Sequence, residues 1–107
     1  MIVEYIRYRI ESDRSEEFVE AYRHAAVPLA ESEHCIDYEL SRCVEEPERF
    51  VLRIRWDSLD GHLHGFRGSE QFRRFVAHVR PFIPMIEEMQ HYEVGEVVGD
   101  GAGSTQR

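Results

Sequence analysis

Six side chains in this 107-residue sequence are of types that could hold a small aromatic molecule and move a proton on it: Glu4, Tyr38, Trp56, His64, Phe72 and His91. Such chemistry needs a base to take a proton, an apolar pocket for the ring, and donors for the negative charge that develops. His64 is the candidate base, because a neutral imidazole near pH 7 can accept a substrate proton. Trp56 ends the apolar series Phe50, Leu52, Ile54, Trp56, so it points toward the helices and could stack on a substrate ring. Tyr38 falls on the corresponding face of the preceding strand, where its hydroxyl needs a partner such as a substrate oxygen. Glu4 is the odd residue on an otherwise apolar strand face, and a carboxylate there must be paired, protonated or in a cavity. Phe72 and His91 complete the proposed lining. Each residue also has a plainer role: Trp56 and Tyr38 as core, His64 packed on Phe72 at a helix end, Glu4 reaching solvent or pairing with Arg23.

Other chemistries find less support. All 13 basic residues are Arg, so lysine Schiff-base chemistry is excluded. His62 and His64 form a His-x-His, but on a helix the two rings point about 200° apart and cannot easily share one metal. No metal site is therefore expected from this pair. Phosphate-cradling glycine loops and nucleophile elbows are absent. A formal charge of −8, with arginines interspersed among acids, argues against a nucleic-acid partner. Cys35 and Cys43 lie eight positions apart on one predicted strand, roughly 26 Å at ~3.3 Å per residue, so they cannot pair. Two unpaired thiols fit a reducing compartment. No apolar run approaches the length needed to span a bilayer, and the N-terminus lacks signal-peptide features. No membrane partner is expected, and a cytoplasmic location is.

The elements that must position these residues follow from periodicity. Ile2 to Ile10 alternates as a strand, with Ile2, Ile6, Tyr8 and Ile10 opposite Val3, Tyr5, Arg7 and Arg9. Asp13 with Glu16 predicts a helix start, and Phe18, Tyr22, Ala25, Ala26 and Leu29 share the face of a helix that Pro28 should kink or end early. Cys35 to Val44 and Arg49 to Asp57 alternate again across a Glu45-Glu46-Pro47-Glu48 turn, a hairpin whose polar faces set Asp37 and Glu39 against Arg53 and Arg55. Ser58 predicts a short helix to about His64, broken at Gly65 and Gly68, and Ser69 caps another bearing Phe72, Phe75, Val76 and Val79. Pro81 and Pro84 close that helix, and Met89 to Val98 reads as a fourth strand. The order predicts an α+β, ferredoxin-like βαββαβ domain over residues 1–98, with 99–107 a disordered tail or linker. The sheet face away from the helices mixes Val3, Tyr5, Val51, Tyr92 and Val94 with charges, a surface that a second copy would shelter, so a homodimer is expected.

The run Cys35-x-x-Tyr38-x-Leu40, Phe50-Val51-Leu52, Trp56, His64 and Ser69-x-x-Phe72 resembles the antibiotic-biosynthesis-monooxygenase domain, over about residues 1 to 97. The resemblance implies a dimeric α+β barrel with a pocket in each subunit between sheet and helices. It also implies oxidation of phenolic or quinol-like aromatics by O₂ without metal, flavin or haem. The expected function is thus a cofactor-independent monooxygenase acting on a small aromatic. Those enzymes are thought to use an Asn near the pocket, and this chain has none, which opens a second reading: a non-catalytic dimeric binding or accessory module of a larger redox protein, a haem protein included. A haem-degrading branch of the same superfamily uses an Asn, a Trp and an axial His whose positions fall here near Tyr5 or Arg7, His64 and Arg73, so that activity is not implied.

Overall fold

The computed structural model describes residues 1–106. Four antiparallel strands, β1 (Ile2–Arg9), β2 (Cys35–Arg42), β3 (Arg49–Trp56) and β4 (Ile86–Glu93), form one sheet in the order β2-β3-β1-β4. Helices α1 (Ser15–Ala30) and α2 (Glu70–Val79) cover one face, giving the ferredoxin-like α+β plan expected from the alternating patterns. A single core joins Ile6, Tyr8, Leu52, Ile54 and Trp56 of the sheet to Phe18, Tyr22 and Leu29 of α1 and Phe75 and Val79 of α2. Phe18 is its hub, with the rings of Tyr8, Tyr22, Phe50 and Phe82 centred 4.8–5.2 Å away. Burying each such side chain contributes about 1.5–3 kcal/mol.

Several boundaries differ from the sequence reading. Asp13 does not cap α1; Ser12–Arg14 form a 3₁₀ turn, and the Ser15 hydroxyl donates to the Ser12 carbonyl at 2.9 Å. Pro28 does not end α1, which continues to Ala30. Its missing N–H falls in the last turn, where losing one bond does little to the helix before it. The fourth strand runs Ile86–Glu93, not Met89–Val98. It starts early because the 3₁₀ segment Arg80–Met85 delivers the chain directly beside Tyr8, and it ends at Glu93, opposite Ile2, with one further bond from Val94 N to the Met1 carbonyl at 3.0 Å. Val97 and Val98 therefore lie exposed despite their apolar character. A 3₁₀ turn spans Ala102–Gln106 within the segment 99–107 read as tail or linker, of which Arg107 lies outside the described residues.

The β2–β3 register sets Asp37 opposite Arg55 and Glu39 opposite Arg53. Arg55 Nε donates to Asp37 Oδ1 at 2.8 Å, and that pairing holds the Asp37 carboxyl below its ordinary range. These charges, with Tyr5, Val51 and Tyr92, lie on the face that the helices leave uncovered.

Candidate functional site

Glu4 sits in the middle of β1 on the helix-facing side, opposite Ile54 of β3 and His91 of β4. It is 2% exposed, so its carboxylate neither reaches solvent nor meets Arg23, which pairs with Glu20 instead. Trp56, fully buried at the end of β3, donates its indole N–H to Glu4 Oε1 at 3.1 Å. Burial pushes the Glu4 carboxyl up, against the Trp56 hydrogen bond and the charges of His91 and Arg67, which pull it down. A carboxyl raised in this way holds its proton more readily than an exposed one, which suits it to general acid–base work.

Over this carboxylate lies His62, supplied by a π-helical turn, Gly61–Phe66. The Ser58 hydroxyl accepts from Gly61 N at 2.9 Å and starts the turn, and Ser69 caps α2 beyond it by accepting from Phe72 N at 3.2 Å. Gly61 and Gly65 allow the His34 imidazole to lie against the turn. A Cβ on Gly65 would come within 2.4 Å of His34 Cδ2, and one on Gly61 within 2.2 Å of Asp57 Oδ1. Asp57 in turn bonds His34 Nδ1 at 3.0 Å, clamping the ring and raising its pKa. The His62 side chain is thereby driven inward: its ring is 4.4 Å from the Trp56 ring and 4.9 Å from that of His91.

His62 Nε2 lies 3.6 Å from Glu4 Oε1, and His91 Nε2 lies 3.5 Å from Glu4 Oε2, both too long for hydrogen bonds. Burial, with the charges of Arg67 and His91, drives the His62 pKa down to about 3, so this imidazole is neutral. Both His62 nitrogens and His91 Nε2 are buried without a hydrogen-bond partner. Glu4 and His62 form the polar end of a cleft of about 430 Å³ between sheet and α2, whose walls include Ile54, Trp56, Phe66, Phe72, Val76 and Met89, with His91 against Glu4 outside the lining. Arg67 is the one cation on its lining among the described residues.

The structure thus brings together Glu4, Trp56, Phe72 and His91, and leaves two expected residues elsewhere. His64 does not face the cleft: its side chain is 78% exposed, and Nδ1 pairs with Asp60 Oδ1 at 2.7 Å. Tyr38 lines a separate cleft of about 380 Å³ between β2 and α1, with Tyr22, Leu29 and Leu40. His62 is the residue that sequence reasoning missed. The signal was its pairing with His64, since two rings on opposite sides of a turn require one to face the core, but the pattern did not say which.

A sheet roofed by two helices, with one polar cluster buried at the end of an apolar cleft, defines a small ferredoxin-like domain with an interior cleft. Residues 1–78 match the family model for antibiotic biosynthesis monooxygenase, and the chain belongs to that family. It is 29% identical over 93 residues to the uncharacterized protein YczJ of Bacillus subtilis, covering 87% of this chain and 98% of that one. Solved structures bearing the family's name show the same fold. One from Deinococcus radiodurans superposes with a TM-score of 0.74 at 16% identity, covering 95% of this chain and 100% of that one. One from Bordetella bronchiseptica gives 0.71 at 21% identity, covering 89% and 97%. No helix among the described residues is long and apolar enough to cross a membrane.

Proposed function

We propose that this chain is a monooxygenase of small electron-rich aromatics, with the ring held in the Trp56–Phe72 cleft and a hydroxyl directed at Glu4, His62 and His91. The observation that carries this reading is the placement of Glu4 and His62, with His91 beside them, at the end of a cleft walled mainly by apolar and aromatic groups. Glu4 takes the phenol proton, and the imidazoles of His62 and His91 orient the oxygen. Arg67 stabilises the negative charge that develops. The chemistry balances without an outside reductant. A dihydroxybenzene (C₆H₆O₂) and O₂ give a hydroxyquinone (C₆H₄O₃) and water: the substrate supplies four electrons, one oxygen atom enters a ring C–H, and the other leaves as water.

The working unit in this reading is a homodimer joined through the uncovered sheet face, where Tyr92 and Val94 remain exposed beside the Asp37, Arg53 and Arg55 charges. Ion pairs there set register more than they add stability. Free Cys35 and Cys43 fit a reducing compartment such as the cytoplasm.

The test is oxygen consumption by the purified protein with a panel of dihydroxyaromatics and hydroquinones. Glu4→Gln should lower the rate roughly 10²–10⁴-fold, the usual contribution of a general base, whereas His64→Ala should leave it unchanged. Wild-type protein that consumes no oxygen with any member of the panel, or Glu4→Gln protein as fast as wild type, sinks the proposal. In the first case the accessory-module reading takes its place.

A further inference from the structure

We infer that Glu4, His62 and His91 form a binding site for a divalent first-row transition metal ion, with the aromatic cleft at its open side. Their ligand atoms all lie within 4.8 Å of one another. Metal–ligand bonds of ~2.1 Å at tetrahedral or octahedral angles put neighbouring ligand atoms about 3.0–3.4 Å apart. The observed separations of 3.6 Å from Glu4 Oε1 to His62 Nε2 and 3.5 Å from Glu4 Oε2 to His91 Nε2 are close to that. They are longer than hydrogen bonds, so the two imidazoles converge on the carboxylate without bonding it.

The independent observation is that His62, 3% exposed, has no hydrogen-bond partner on either ring nitrogen, and neither has the buried Nε2 of His91. Unpaired buried polar atoms cost free energy, and folded proteins rarely tolerate three at one spot without a ligand for them. A metal ion would accept a lone pair from each Nε2. Trp56 already supplies the outer support that metal-binding carboxylates usually have, through its 3.1 Å bond to Glu4 Oε1.

Two imidazoles and one carboxylate make the donor set typical of non-haem Fe²⁺, and one that also holds Zn²⁺ or Co²⁺. The three ligands come from β1, β4 and the π-helical turn and leave the cleft side open for water or substrate. Arg67 is the charge that opposes a cation here, and it is exposed at the rim. The inference rests on reading this cleft as the working site but not on an aromatic substrate. In a loaded site Glu4 would serve as ligand, and the ion would take over the ionising of a bound hydroxyl.

The experiment is a Co²⁺ titration of the full chain after treatment with chelator, followed by visible absorption, with calorimetry of Zn²⁺ binding beside it. One Co²⁺ per chain is expected. His91→Ala and Glu4→Gln should each weaken binding more than about tenfold, and Trp56→Phe, which removes the outer support, by about 10–100-fold. His34→Ala and His64→Ala alter surface imidazoles and should bind as wild type. His91 is partly exposed, so its variant tests the site even if His62→Ala fails to fold. No saturable binding below about 1 mM, or binding that His91→Ala and Glu4→Gln leave unchanged, overturns the inference. Oxygen uptake in the chelator-treated protein separates the readings: uptake without Co²⁺ binding removes the metal and keeps the oxygenase, and Co²⁺ binding without uptake does the reverse.

Discussion

Trp56→Phe tests whether the buried carboxylate depends on its single good donor. The substitution deletes the indole N–H that reaches Glu4 Oε1 at 3.1 Å and leaves Glu4, 2% exposed, with no hydrogen bond from a side chain. Leaving a buried polar group unsatisfied costs about 1–3 kcal/mol. The ring volume lost from a fully buried position adds about 1 kcal/mol at ~24 cal/mol per Å³ of cavity. The sum is about 2–4 kcal/mol, or roughly 8–16 °C in melting temperature for a chain of this size. Urea denaturation at pH 7 of wild type, Trp56→Phe, Glu4→Met and the double variant gives the pairwise term. Glu4→Met removes the buried carboxyl and the acceptor together, so Trp56→Phe in that background should cost only its packing share. A coupling of about 1–3 kcal/mol is expected. A coupling below about 0.5 kcal/mol would show that the Trp56–Glu4 bond adds nothing beyond additive packing, and the account of the site would lose its support.

Gly65→Ala should displace His34, because the new Cβ would fall 2.4–2.5 Å from the ring. In NMR titrations the His34 pKa, raised by Asp57 in the wild type, should return toward its ordinary value of 6.5. The linkage sign follows: the contact adds stability below pH 6.5 and loses it as pH rises through the raised value, so Asp57→Asn should flatten that part of the stability profile while a wild-type profile already flat there would contradict it. On the uncovered sheet face, Arg55→Glu sets like charge against Asp37 and should turn a dimer into a monomer by light scattering. A wild-type protein that already runs as a monomer removes the dimer.

The sheet, both main helices and the two cleft residues Glu4 and Trp56 were legible because they depend on local alternation and on one residue out of pattern. Glu4 stood out as the only charge among Ile2, Ile6 and Tyr8 on its face, and a lone carboxylate on an apolar face has few acceptable surroundings. His62 was not legible, because a π-helical turn shifts the phase at which side chains return to the core, and Gly61 and Gly65 could be read as helix breakers when they in fact admit the His34 ring. The sequence pointed to His64 for the same reason: its neighbour two positions earlier carries the same side chain, and only the turn decides between them. The start of β4 was hidden by Pro84, whose 3₁₀ segment leads straight into the strand without a loop. Tyr38 lies on the predicted side of β2, but β2 is the sheet edge beside α1, away from the cleft beneath α2.

Burying Glu4, His62 and the inner edge of His91 together costs stability that an apolar trio would not. The lowering of His62 to about 3 and the raising of Glu4 both express desolvation that their mutual contacts do not offset. The surrounding fold could easily satisfy these groups otherwise, since Ile54, Phe66 and Met89 already supply an apolar wall at the same place. Evolved interiors keep such groups mainly where they act on something that enters. Glu4→Met should therefore leave the domain folded and at least as stable in the absence of ligand, while abolishing Co²⁺ binding and oxygen uptake together. A variant that unfolds would instead show the carboxylate to be a structural strut, with its two histidines arranged around it for packing alone.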